Sequence, residues 1–320
     1  MSFEKIVGHE KIINGLRDVA KKKSRRSQSL LFSGPSGIGK KLVALAWAQA
    51  VLCKVEKDCE GCSSCKRVLS LKHPDLLIVS PGDSPTLKID QIRQLQNFVA
   101  LKSFEGGGKV VIIDEAHQMT AQASNALLKT LEEPPENTYF VLITSNRGAI
   151  LPTIQSRCQK ILFGHLSQAE LKKIVPDAED WCFALSQGRV ELVTRFMDKE
   201  HKAKRILAMR FLKDIPDSKL YEGFTQTLKL SDDRESSLFT THCWAQALKV
   251  SLSQALGAEV SGLSDENETL DSLKKNFSVP ALIKLSQNLL RLEQDINANV
   301  NKSLAFENFF IDAKALKGSR

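Results

Sequence analysis

Gly34-Pro35-Ser36-Gly37-Ile38-Gly39-Lys40-Lys41 constrains the fold of this chain more than any other stretch. A short apolar run, Leu30-Leu31-Phe32, leads into it, and a helical pattern from Lys41 to Leu52 leads out. Strand, glycine loop and helix in that order are what a phosphate-binding P-loop requires. The glycines let backbone N–H groups turn inward, and the helix N-terminus adds partial positive charge. On this reading Gly34, Gly37 and Gly39 shape the cradle and Lys40 reaches the β- and γ-phosphates. Position 41 departs from the pattern. A Ser or Thr hydroxyl there ligates Mg2+, whereas Lys41 offers no oxygen and brings a positive charge that repels the metal. Either hydrolysis at this site is lost or very weak, or Lys41 swings to solvent and water replaces the hydroxyl. ATP with Mg2+ is therefore expected to bind weakly or not at all.

The loop is one part of a repeating pattern. Leu76-Leu77-Ile78-Val79, Val110-Val111-Ile112-Ile113 and Phe140-Val141-Leu142-Ile143 are further short, unalternated apolar runs. Such runs suit strands covered on both faces. Helical stretches separate them, at Lys88 to Leu101 and Thr120 to Leu131. Strand and helix in alternation predict an α/β fold with a parallel sheet. The third run ends in Asp114-Glu115-Ala116-His117, a pair of carboxylates at a strand end. Behind a P-loop this reads as a Walker B pair, with Asp114 orienting the Mg2+ shell and Glu115 activating water. Asp114 can instead pair with Lys41 and lock an empty site.

After about residue 165 the strand signals stop. Ser167 is an N-cap candidate, Asp177 to Met197 reads as two short helices around Gly188, and the remainder is helical. Leu282, Leu285, Leu289, Leu292 and Ile296 form one apolar stripe, suited to a bundle core or a coiled-coil seam. No apolar run approaches the roughly 20 residues that span a bilayer, and the N-terminus has no signal-peptide core. A soluble, cytoplasmic chain without membrane partners is expected. The net charge of +8 owes much to Lys21 to Arg26, read as a solvated helix end, and by itself is weak support for a nucleic-acid partner.

Of seven cysteines, four crowd together as Cys53, Cys59, Cys62 and Cys65. A secreted disulfide framework spreads its cysteines, so this cluster reads as a metal site. Four thiolates suit a closed tetrahedral Zn2+ site. The rival is an iron–sulfur cluster, but Cys59-x2-Cys62-x2-Cys65 lacks the fourth cysteine and proline that its run demands. His73 is either a spare ligand or the lead into the next strand.

Several segments together resemble the AAA+ clamp-loader family of bacterial DNA polymerase III. They are Ser27 to Pro35 at the P-loop entry, Ile89-Asp90-Gln91-Ile92-Arg93 at a helix start, and Asn125 to Pro135 with its Leu-Glu-Glu-Pro-Pro ending. Ile143-Thr144-Ser145-Asn146 resembles sensor 1, and Leu151 to Cys158 contains a Ser-Arg-Cys motif. The resemblance spans roughly residues 5 to 195. It implies an AAA+ domain over residues 1–165 with a zinc module at about 53–65, a helical lid over 166–203 and an all-α collar over 204–320. It makes Thr144 the sensor 1 residue. It makes Arg157 an arginine finger projecting toward ATP held by a neighbour, against the alternative of a surface ion pair. Arg189 resembles sensor 2, with a solvated helix arginine as the alternative. Leu304, Phe306, Phe309 and Phe310 would give either collar surface or private core.

An intact finger beside a degraded P-loop resembles the family's non-motor stator type. The gamma/tau motor subunits keep a Thr after the P-loop lysine, and the delta subunit lacks the Ser-Arg-Cys motif. The implied partners are gamma/tau and delta subunits in a hetero-oligomeric ring, a sliding clamp and primed DNA. The alternatives are an ATP-hydrolysing motor of the gamma/tau type and a DNA-binding adaptor.

Overall fold

The computed structural model describes residues 3–21, 27–55, 59, 61–82, 84–230, 232–258, 265–298 and 300–317. Residues 22–26 of the basic run and Ser264 of the acidic stretch lie outside the described residues. The chain divides into two compact units, one formed by residues 1–174 with 188–190 and the other by 175–187 with 191–320.

In the first unit, the apolar runs become strands β1 (Gln28–Ser33), β2 (Leu76–Val79), β3 (Lys109–Ile113) and β4 (Thr138–Thr144). A further strand, β5 (Gln159–Leu162), completes a parallel sheet of order β2-β3-β4-β1-β5 among the described residues. Successive side chains of a strand point to opposite faces, and here both faces are dry. Leu30, Phe32, Val110, Ile112, Val141 and Ile143 join one core cluster. Leu31, Val111, Ile113, Phe140 and Leu142 join the other. The first cluster is covered by α1 (Glu10–Lys21), α2 (Lys40–Leu52) and α3 (Ser63–Leu69), through Leu16, Trp47 and Val68. The second is covered by α4 (Ile89–Ala100), α5 (Ala121–Glu132) and α6 (Pro152–Arg157), through Leu95, Leu127 and Ile154. Each fully buried Leu, Ile or Phe stabilises the fold by about 1.5–3 kcal/mol relative to exposure, which is why the runs in β1, β3 and β4 take the central places, while β2 lies half-buried at an edge. Helix α7 (Gln168–Ile174) opens with the Ser167 cap, Glu170 accepting from the Ser167 N–H at 2.7 Å.

The second unit is helical: α8 (Asp180–Ser186), α9 (Val190–Phe196), α10 (Lys199–Asp214), α11 (Leu220–Leu230), α12 (Arg234–Ala255), α13 (Asn267–Asn276), α14 (Val279–Asn297) and α15 (Lys302–Ala315). Val190 itself belongs to the first unit. The side chains of Asp198, Asp233, Ser278 and Asn301 accept the N–H groups that open α10, α12, α14 and α15. All five residues of the Leu282–Ile296 stripe are buried, with α12 and α15 packed on α14, so the stripe is a bundle core. Phe306, Phe309 and Phe310 are buried too, whereas Leu304 is exposed. Trp244 anchors this core. It stacks on Phe211 and Phe309 at 5.4 and 5.0 Å between centroids, and its indole N–H donates to Ala208 O at 2.8 Å. Trp244→Ala is expected to cost about 3–5 kcal/mol, read as a lowered urea midpoint of the helical unit. No helix among the described residues is long and apolar enough to cross a membrane.

Candidate functional site

The glycine loop joins β1 to α2 at the carboxyl end of the sheet. Gly37 and Gly39 take left-handed backbone conformations, φ 72° and 93°, which side chains other than glycine adopt at a cost. A Cβ on Gly34 would lie 2.4 Å from the Phe163 carbonyl oxygen. Lys40 is buried and its ammonium donates to Gly34 O at 2.7 Å and Pro35 O at 2.5 Å. Burial pushes its pKa below the ordinary lysine value, and the Glu115 and Asp114 carboxylates pull the other way. The loop therefore wraps around its own lysine.

The acidic strand end lies beside that loop. Asp114 follows β3, and its Oδ2 lies 2.9 Å from Lys41 Nζ. A lysine thus stands against the carboxylate that orients a Mg2+ shell in a working P-loop. Glu115 has a left-handed backbone, φ 50° and ψ 45°, a strained conformation for a residue with a side chain. Its Oε2 is 3.5 Å from His117 Nδ1, and His117 Nε2 is 3.5 Å from Ser145 Oγ. Thr144 is fully buried at the end of β4. Its carbonyl accepts the Gly34 N–H at 3.3 Å, and its hydroxyl accepts the Asn146 N–H at 3.1 Å. Arg189 is partly exposed and bracketed by two backbone bonds: Gly188 O accepts from Leu166 N–H, and Val190 N–H donates to Gly37 O at 3.0 Å. The structure thus brings Gly34, Gly37, Gly39, Lys40, Lys41, Asp114, Glu115 and Thr144 together, with Arg189 tethered next to the loop.

Arg157 stands elsewhere. It ends α6, and Gln159 two residues later pairs in register with Leu30. Leu30 is four strand steps, about 13 Å, before Gly34. Arg157 therefore projects near the amino end of the sheet, away from the loop. Its guanidinium contacts Glu132 Oε1 at 2.6 Å and Thr153 O at 2.9 Å, and the side chain is about one-third exposed, at 34%.

The four cysteines also converge. Their sulfurs all lie within 4.8 Å of one another. A tetrahedron of thiolates around Zn2+ at about 2.3 Å sets its sulfurs about 3.8 Å apart, so these residues fit a Zn2+ ion with little adjustment. Cys62 caps α3 and its sulfur accepts the Cys65 N–H at 3.4 Å. Burial opposes the Cys62 thiolate, but hydrogen bonds from Cys65, Cys59 and Cys53 outweigh it and lower its pKa to about 7. Burial and contact with Cys62 push Cys65 upward. His73 is not a member of the group. Its Nδ1 accepts the Asp75 N–H at 3.1 Å, so Nε2 carries the proton toward Ser64 Oγ at 2.9 Å. It fastens β2 to α3, as a lead into the strand would.

Two contacts escape a reading of the sequence. Glu132 belongs to the Leu-Glu-Glu-Pro-Pro segment, but nothing in that segment says that its carboxylate meets Arg157. His117 closes on Glu115, and only its position two residues on signals the pairing.

A family model described as DNA polymerase III, delta subunit, matches residues 8–167. Of the predicted site residues, that span holds all but Arg189. DNA polymerase III subunit delta prime of Pseudomonas aeruginosa is 30% identical over 318 residues, covering 92% of this chain and 94% of the relative. Subunit delta prime of Bacillus subtilis is 44% identical over 143 residues, 44% of this chain and 43% of the relative. Subunit tau of Bacillus subtilis is 37% identical over 203 residues, 61% of this chain but 35% of that longer protein. Among solved structures, a DNA polymerase III gamma subunit-related protein from Thermotoga maritima covers 95% of this chain and 99% of its own, at 18% identity and a TM-score of 0.44.

Proposed function

We propose that this chain, which belongs to the delta prime family of DNA polymerase III clamp-loader subunits, serves as the stator of the loader. Its own P-loop turns over little or no ATP. Its Arg157 enters the ATP site of a neighbouring gamma/tau-type motor subunit and neutralises charge developing on the transferred phosphoryl group. With motor and delta subunits in a hetero-oligomeric ring, it helps open the sliding clamp and set it on primed DNA in the bacterial cytoplasm. On this reading residues 166–203 act as the lid, with Arg189 as sensor 2, and residues 204–320 act as the collar. Cys53, Cys59, Cys62 and Cys65 hold a structural Zn2+ that ties the end of α2 to the start of α3.

The observation that carries this reading is the 2.9 Å ion pair between Lys41 and Asp114. It sets an ammonium against the carboxylate that would orient the metal shell. The exposed finger candidate at the other end of the sheet gives such a silent subunit a role.

The identity with a tau subunit favours a second reading, an ATP-hydrolysing motor. The isolated chain separates the two. As a stator it shows no ATP turnover above that of Lys40→Ala. As a motor it turns over briskly, and Lys40→Ala abolishes the activity. Lys41→Thr is the complementary test. It supplies the missing hydroxyl and releases Asp114, so Mg2+-dependent ATP binding should tighten by on the order of tenfold, measured by titration with a fluorescent ATP analogue. Unchanged binding would show that the Lys41–Asp114 pair is not what silences the site.

A further inference from the structure

Helix α5 stops at Glu132 because Glu133, Pro134 and Pro135 follow: Glu133 leaves the helical conformation at φ −124°, and prolines cannot continue a helix. Helix α6 stops at Arg157. Two helix C-termini, each the negative end of a macrodipole, therefore present side chains to each other. A cation suits that place and a carboxylate does not. Glu132 thus opposes its own helix end and is compensated by Arg157, whose Nη2 lies 2.6 Å from Glu132 Oε1. Both side chains are substantially exposed, 34% for Arg157 and 47% for Glu132, so the pair contributes little to holding the fold together. Arg157 Nη1 is also engaged, by Thr153 O at 2.9 Å and Ser156 Oγ at 3.5 Å. A guanidinium held this way has to leave a carboxylate before it can meet a phosphate.

We infer that Glu132 is a latch that withholds the Arg157 guanidinium from the neighbouring ATP site until nucleotide bound there displaces it. The inference rests on the finger reading of Arg157 proposed above. A triphosphate carries more charge than one carboxylate and accepts the planar fork as well as a carboxylate does, so the exchange runs toward the nucleotide. The latch subtracts from that exchange by the strength of an exposed ion pair. It also supplies a defined resting position for a long side chain that would otherwise sample many rotamers.

The test uses the clamp loader reconstituted from this chain with its cognate motor and delta subunits. Glu132→Gln keeps the shape of the side chain and removes its charge. The kcat/KM for ATP at the site that Arg157 enters, read in single turnover, should rise about two- to fivefold, close to what an exposed pair contributes. Glu132→Ala should do the same, which guards against a new hydrogen bond from glutamine. In an Arg157→Ala background neither change should have any effect, because the latch acts only through that guanidinium. A merely structural Glu132 would give the same change with or without Arg157. The latch is overturned if kcat/KM stays level or falls in both Glu132 variants while their melting curves match the wild type, or if the gain survives in the Arg157→Ala background. If Arg157→Ala by itself leaves turnover untouched, the finger reading has failed, and the latch with it, a result seen without any Glu132 variant.

Discussion

Arg157→Ala is expected to slow ATP hydrolysis by about 10³–10⁵-fold at the one neighbouring site that this arginine completes, and to abolish clamp loading on primed DNA with it. The size follows from the finger role proposed for the group. Charge builds on the oxygens of the phosphoryl group in transfer, and a fixed guanidinium stabilises that charge in a site with little water. Arg157 cannot do this for its own loop. Gln159, just beyond it, lies in register with Leu30, four strand steps or about 13 Å short of Gly34, and Lys40 is turned onto Gly34 O and Pro35 O. Total turnover of the complex falls less than that of the affected site wherever other sites hydrolyse ATP as well. Single-turnover measurements separate the silent site from the others. Arg157→Lys should fail nearly as badly, because a lysine ammonium lacks the planar fork. Assembly should survive, because the exposed Arg157–Glu132 pair contributes at most about 1 kcal/mol. Undiminished single-turnover hydrolysis in Arg157→Ala complexes would remove the reason for calling this chain a stator.

Much of this site is legible in the residues because its physics is local. The loop glycines, Lys40 and the strand ahead of them are contiguous, and the spacing of Cys53, Cys59, Cys62 and Cys65 announces a four-thiol cluster. The Lys41–Asp114 pair was foreseeable from charge once the strand ending in Asp114 was set beside the loop. Strand β5 was not legible. Gln159 and Lys160 are polar and exposed, so this edge strand, unlike β2 at the other edge, carries no unbroken apolar run to announce it. Nor was the Arg157–Glu132 contact, which joins two helices 25 residues apart through a surface pairing that no periodicity encodes. The phenylalanines of α15 show the opposite ambiguity. Phe306, Phe309 and Phe310 are apolar at either an interface or a core, and only packing against Trp244 and Phe211 decides for the core.

Removing metal from the cysteine cluster should have the second large effect, on stability rather than rate. We expect one Zn2+ per chain by atomic absorption, falling to a small fraction in Cys62→Ser. Cys62 is the residue to change because its sulfur both faces the other thiols and caps α3. The consequences spread along specific contacts. Helix α3 carries Val68 into the sheet core and Ser64 onto Leu52 O and His73. Its Arg67 pairs with Glu105, which also meets Lys54 at 3.0 Å. Losing the metal removes the common ligand that joins α2 to α3, leaves the clustered sulfurs largely as protonated thiols because burial pushes Cys65 and Cys53 upward, and loosens all of these. Structural zinc accounts for about 10–16 kcal/mol of folding free energy in isolated finger peptides. Here α3 keeps its buried contacts, so the loss should be smaller, yet well above the roughly 1 kcal/mol of an average substitution. Thiol counting gives the sharpest reading. In the native metal-bound protein all seven cysteines should resist a thiol reagent, four through the metal and Cys158, Cys182 and Cys243 through burial. A chelator should expose four and leave those three protected. A purified protein free of zinc whose four clustered thiols react at once without chelator, or a brown protein absorbing near roughly 400 nm as iron–sulfur clusters do, would overturn the zinc assignment.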